Sequence, residues 1–389
     1  MMDRNNLYRT LSRCLLVTLG ILAGCNALRI PWGINVDPSD WPMDGRTAAR
    51  SGVAGTWVLP PLTPAWNVDL GSGAGQGSPL IVDSFVVVGT LRGEVLVFHA
   101  RTGRRLGGAS FGDAVTGSPA LQGNVAYIPV ANSAESMIAY DLEQGKVLWK
   151  RSCGNIEASP LLSNGRLYAG TTEGALVCLD TAAGGILWRF ELPANRTGKG
   201  IRSAPASGES LVVFGADDGS VYALDAITGA LRWRCQTGAA VMAGPALSEQ
   251  LAAVGNVDGE MFGIAIADGS VRWKRRIGAP IRAGAVMVDG MVIVGTTGGT
   301  VYAVRETDGS VLWECPVEGA VSTSGAVSGA FLYVGTLRKN LLAIRLADGK
   351  VIWKDSLDGR VKSAPAVGRD RLVVVTDDRL LRAYAGGTP

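Results

Sequence analysis

Residues 219–233 read GSVYALDAITGALRW, and the rest of the chain is a variation on that line. Val221, Ala223 and Asp225 alternate with Tyr222 and Leu224, a period of two that predicts a strand with one buried face. Thr228-Gly229 marks a turn, because glycine accepts a positive φ that a side chain resists. Leu231 and Trp233 open a second strand, so the unit is a hairpin. A Trp four residues after a turn Gly recurs as Trp149, Trp188, Trp233, Trp273, Trp313 and Trp353, at spacings of 39, 45, 40, 40 and 40. A small-residue column runs six before that Gly: Val97, Ala139, Cys178, Ala223, Gly263, Ala303 and Ala343, with Ala383 following in register. A third column opens each unit at Pro79, Pro119, Pro160, Pro205, Pro245, Ala285, Gly325 and Pro365.

Three columns agree on eight copies of about 40 residues, and a period near 40 with short strands is the mark of propeller blades. Gly 53 and the runs VVVG, LVVFG and LVVVT point to an all-β fold. The expected architecture is an eight-bladed β-propeller of four-stranded antiparallel blades over residues 61–386. Copies run roughly 70–108, 109–150, 151–189, 190–234, 235–274, 275–314, 315–354 and 355–386. Trp66, in PAWNVDLG, has the look of a last strand with no blade before it, while the final copy lacks its own Trp. A ring closed by the Trp66 strand completing the eighth blade resolves both facts and leaves no seam. Trp66, Trp149, Trp188, Trp233, Trp273, Trp313 and Trp353 are therefore expected to dock blade on blade. In copy one Gly107 takes the Trp position.

Ahead of the ring, Arg4, Arg9 and Arg13 precede an apolar run, Leu15 to Leu22, too short for a spanning helix. Residues 1–24 read as a signal peptide, and Leu22-Ala23-Gly24-Cys25 resembles the bacterial lipobox. That resemblance implies cleavage before Cys25, lipid on its sulfur, and membrane attachment by more than one chain. Asn26 in place of Asp favours the outer membrane, on its periplasmic face. Residues 25–60, rich in Pro, Gly and Asp, read as a tether and extended arm, with Trp41-Pro42 and Arg50-Ser51-Gly52 docking on the side of the barrel. The chain after residue 24 has 34 basic and 33 acidic residues, without the basic face that a nucleic-acid partner requires. Of the remaining cysteines, Cys178 sits in the small-residue column, and Cys235 and Cys315 lie in blades too far apart to bridge. A Cys153–Cys178 pair stays open beside the reading of four unbonded core thiols.

No catalytic constellation is visible. The lone histidine, His99, falls where better copies have Asp141, Asp180 and Asp225, residues suited to ordering a turn. One His and no cysteine pair at ligand spacing argue against a metal site. GSGAGQG at 71–77 lacks dinucleotide spacing and leads into a strand, and the serines before the prolines have no histidine beside them. No cofactor is expected. A more variable column stands three before each blade's opening residue: Gln76, Thr116, Glu157, Arg202, Met242, Arg282, Ser322 and Lys362. If these open the innermost strands they ring one mouth of the channel, either as a solvated rim or as a shallow site for an acidic ligand or partner.

The pattern A-x-D-x-x-T-G-x-x-x-W, kept in ALDAITGALRW, resembles the tryptophan-docking motif of quinoprotein-like propellers over about 320 residues. Together with the lipobox, eight copies and the WPMDG arm, the chain resembles the BamB-like lipoproteins of outer-membrane protein assembly. The resemblance implies a scaffold without a catalytic site that binds the barrel-assembly machinery and assists unfolded outer-membrane proteins. It also implies a hydrophobic–Arg partner segment before the S-A-P of blade four, matched by Ile201-Arg202, and an acidic pair before the next Pro. Ala240 and Met242 replace that pair. The expected partner contacts are Arg196, Lys199, Ile201 and Arg202 on the enlarged fourth lead-in, with Arg282 nearby. The rivals are a quinone-dependent dehydrogenase, which by the same resemblance would carry long insertions and adjacent cysteines, and an envelope lipoprotein that binds another protein or a glycan.

Overall fold

A computed structural model describes residues 28–193, 200–208 and 210–387. They form eight four-stranded antiparallel sheets in a ring, with no helix among the described residues. Blade 1 is typical, running Leu80–Val82, Phe85–Gly89, Glu94–His99 and Arg105–Ser110 from hub to rim. The short first strands face the axis, and those of neighbouring blades touch. The last blade is Ala366–Gly368, Arg371–Val375 and Leu380–Gly387, completed at its outer edge by Leu59–Asp69. Trp66 lies opposite Ala383 in that pairing, so both ends of the ring share one sheet.

The columns of the sequence turn out to be one packing unit. Each Trp faces the small residue of its own blade across the strand pair: Ala223 opposite Trp233, Gly263 opposite Trp273, Ala343 opposite Trp353. A Cβ on Gly263 would lie 2.3 Å from the Trp273 ring, which is why that column stays small. The ring then crosses the seam onto the next blade's turn glycine, Trp188 over Gly229 and Trp233 over Gly269. Its indole N–H donates to a carbonyl of that blade, Trp233 to Ile266 at 2.8 Å and Trp313 to Leu346 at 2.7 Å. Blade 1 reverses the sizes, Val97 facing Gly107, and Leu28 of the N-terminal arm lies against Gly107 instead of an indole.

The third strands differ from the one-faced strand that the alternation predicts. Ser220–Asp225 is buried along nearly its whole length. Blades stack face to face, so a middle strand has a neighbour on both sides. Alternation is clearest in the outer strands, as in Leu231–Gln236.

The arm does not lie on the side of the barrel. Trp41, 1% exposed, forms an antiparallel bridge with Ile81 of the first strand of blade 1. The amides of Leu121, Ser207, Leu247, Met287 and Val327 donate in turn to the carbonyls of Pro42, Ala48, Ala49, Ser51 and Gly52, at 2.8–3.2 Å. Arg50 reaches the Ser159 carbonyl in blade 3, and the Thr56 hydroxyl donates to Arg369 O in blade 8. Residues 41–56 therefore touch all eight blades from inside the ring. The physical reason is that the hub edge of each first strand carries amides with no strand to receive them, and a buried amide left unpaired is costly.

Candidate functional site

The arm fills one end of the channel and leaves a cup at the other. At its floor lies Asp44, and behind it Arg50, 5% exposed, donates to Pro205 O at 2.6 Å and pairs with Asp44 at 3.0 Å. The cup has a volume of about 580 Å³, and all eight residues of the variable column line it. The residues next to the opening positions are small, which leaves the space: Ser159, Ala204, Gly244, Gly284 and Ala364. Wall hydroxyls are spent on the fold, Thr116 donating to Glu157 O at 2.9 Å and Thr323 to Ser363 O at 3.4 Å.

The mouth charges are unevenly satisfied. Arg202 pairs with Asp217 and lies 3.5 Å from Glu157. Burial raises the Asp217 carboxyl above its ordinary value, Arg202 opposes that rise, and Glu157 adds to it. Lys362 shares Asp377 with Arg360, at 3.4 Å and 2.6 Å. Burial works against the Asp377 anion, yet the Arg360 amide and guanidinium with Lys362 hold its carboxyl below the usual range. Arg282 makes no ion pair among the described residues, and its Nη1 rests 3.8 Å from Met242 Sδ.

The expected partner contacts separate on this surface. Arg202 and Arg282 are exposed at the mouth. Ile201 is corrected: it is 1% exposed, with its Cγ2 packed over Gly170, so it serves the core and offers no surface to a partner. Arg196, Lys199 and the lipidation candidate Cys25 lie outside the described residues. What the sequence reading missed is the pairing of Arg202 with Asp217 and the floor built by Asp44 and Arg50. The first follows from the Asp217 amide bonding Gly200 O at 2.9 Å, and the second from an arm without a repeat column.

Cys153, Cys178, Cys235 and Cys315 are free and buried, so the Cys153–Cys178 bridge is not formed. Among the described residues no group of three or more His, Cys, Asp or Glu is placed to hold a metal ion. His99 accepts the Arg101 amide at 3.2 Å through Nδ1, and Asp225 accepts the Ile227 and Thr228 amides, so both order their turns. The mouth thus offers charge and hydrogen-bond donors around a recess, an arrangement suited to holding a ligand or a partner segment.

Comparison with known proteins places the chain among relatives of two kinds. Outer membrane protein assembly factor BamB of Burkholderia pseudomallei is 26% identical over 175 residues, 43% of this chain and 44% of that protein. The dehydrogenase subunit of the quinone alcohol dehydrogenase of Gluconobacter oxydans is 37% identical over 87 residues, 21% of this chain and 12% of that subunit. The chain thus spans less than half the length of these curated relatives. BamB from Moraxella catarrhalis superposes with a TM-score of 0.70 at 20% identity, over 83% of this chain and 99% of that one. Quinohemoprotein alcohol dehydrogenase from Comamonas testosteroni gives 0.76 at 15% identity, over 91% and 82%. Such identities speak for the fold alone. The PQQ-repeat family described as outer membrane protein assembly factor BamB matches residues 63–155, 134–289 and 297–388, nearly the whole ring, and the chain belongs to that family.

Proposed function

We propose that this propeller is a non-catalytic, lipid-anchored periplasmic scaffold that assists assembly of outer-membrane β-barrel proteins by binding the barrel-assembly machinery. The observation that carries this reading is the match to the assembly-factor family along the ring. The hub agrees with it, because the chain's own arm, with Asp44 paired to Arg50, takes up one end of the channel. Cys25 precedes Leu28 by three residues, and Leu28 is held by the Tyr140 hydroxyl at 3.0 Å. A lipid there tethers the disc to the outer membrane beside blades 1 and 2, and leaves the fourth lead-in, with Arg202, for the partner. Unfolded outer-membrane proteins are a second class of client.

Pull-down from envelope extract tests the reading. Wild type recovers a barrel-assembly component, and Arg202→Gln and Arg202→Glu recover less, the second least because it sets a third carboxylate beside Glu157 and Asp217. Recovery of no such component by wild type sinks the proposal. The quinone-enzyme reading draws on a match of 87 residues to quinone alcohol dehydrogenase subunits. Titration with pyrroloquinoline quinone and Ca²⁺ separates the two, since the scaffold gives no saturable spectral change.

A further inference from the structure

We propose that the cup at the open mouth receives a peptide carboxylate, held on the side formed by blades 6 to 8. Arg202, the assembly-partner contact, lines the same cup from blade 4. Arg282, Ser322 and Lys362 occupy the same position in three consecutive blades, so two cations flank a hydroxyl along one arc of the mouth. Across the mouth Arg202 is consumed by Asp217 and Glu157, but Arg282 has only the Met242 sulfur beside it. Asp377, the carboxylate beside Lys362, is already engaged by Arg360 as well as by Lys362, at 2.6 Å and 3.4 Å. At the floor, Asp44 is neutralised by Arg50 and does not repel an anion.

The shape selects among anions. The cup is blind, because the arm closes its far end, and about 580 Å³ admits a few residues of extended chain, whereas a membrane surface cannot enter. A guanidinium with free donors at the lip of such a recess matches the two oxygens of a carboxylate. The carboxylate has two sources, a chain terminus or an Asp or Glu side chain, and the recess suits both.

Fluorescence polarisation of the lipid-free mature chain tests this with three labelled hexapeptides: GSGSGS as the free acid, the same peptide as its amide, and GSEGSE as its amide. Saturable binding of the free acid assigns a terminus, and binding of GSEGSE amide assigns side chains. In either case the neutral amide binds at least tenfold more weakly. Arg282→Gln weakens the bound peptide at least tenfold and Arg282→Gln/Lys362→Gln further, while Arg272→Gln on an outer strand stays within twofold. These side chains are exposed, and a thermal melt matching the parent verifies the fold of each variant. Equal binding of the neutral amide, indifference to Arg282→Gln, or no saturable binding overturns the proposal.

Discussion

Trp233 stands for six of its kind. Its ring packs on Gly269, where φ is +73° and a Cβ would lie 2.7 Å from the indole. Trp233→Ala removes that wedge and is expected to cost about 3–5 kcal/mol, read from denaturant unfolding. Gly269→Ala strains the same contact from the other side. The double variant should therefore lose less than the two single losses added together, and strict additivity would place the ring elsewhere. Burial pushes the Cys153 and Cys178 thiols up to about 11. Iodoacetamide at pH 8 should leave both unmodified in the native protein and label both in denaturant, as peptide mass spectrometry would report. Asp225 runs the opposite way: Arg232 first, then the Thr228 amide and hydroxyl, hold its carboxyl far below the usual range. A depressed carboxyl stabilises above its unfolded value of about 3.9 and loses that contribution as pH falls towards its folded value. Asp225→Asn should accordingly lower the melting temperature at pH 6 and lower it less at pH 2.

At the scale of elements the arm is the unexpected part. Arg50 binds two carbonyls from different blades as well as Asp44, so Arg50→Ala leaves a partly buried carboxylate and the buried Pro205 and Ser159 oxygens without their donor. The expected loss is about 3–5 kcal/mol, with faster amide exchange in the first strands of blades 4 and 5, whose amides bond Ala48 and Ala49 beside Arg50. Unchanged exchange at Ser207 and Leu247 would contradict the role of the arm. The arm was illegible in the sequence for a physical reason: it binds through backbone carbonyls, which any residue supplies, so no side-chain column betrays it. Leu28 filling the place left by Gly107 was hidden likewise, because the two are far apart in the chain. The blades were legible because their docking depends on one large residue, one small residue and one glycine at constant spacing. Ile201 misled, since an apolar residue beside an exposed Arg on an enlarged lead-in looks like a contact until its amide's bond to Thr171 O turns it inward.

For the whole molecule, blade number and closure could be read from the chain because the orphan Trp66 and the final copy without a Trp account for each other. The shape of the channel could not, since it depends on where the arm goes. Closure makes a prediction of its own. Residues 380–387 pair with Arg371–Val375 on one side and Leu59–Asp69 on the other, so their removal leaves the eighth sheet without its middle. Such a truncated chain should lose its single sharp melting transition in calorimetry, and retention of that transition would mean that closure does not hold the ring.

The same pairing imposes an order on biosynthesis. Leu59–Asp69 is made early and finds its sheet only after residues 380–387 have been synthesised. A message cut short anywhere in the last blade therefore yields a product with a naked early strand, the sort of extended segment that proteases grip. Completeness of the polypeptide is in this way tested by the fold itself, with the first strand acting as the latch.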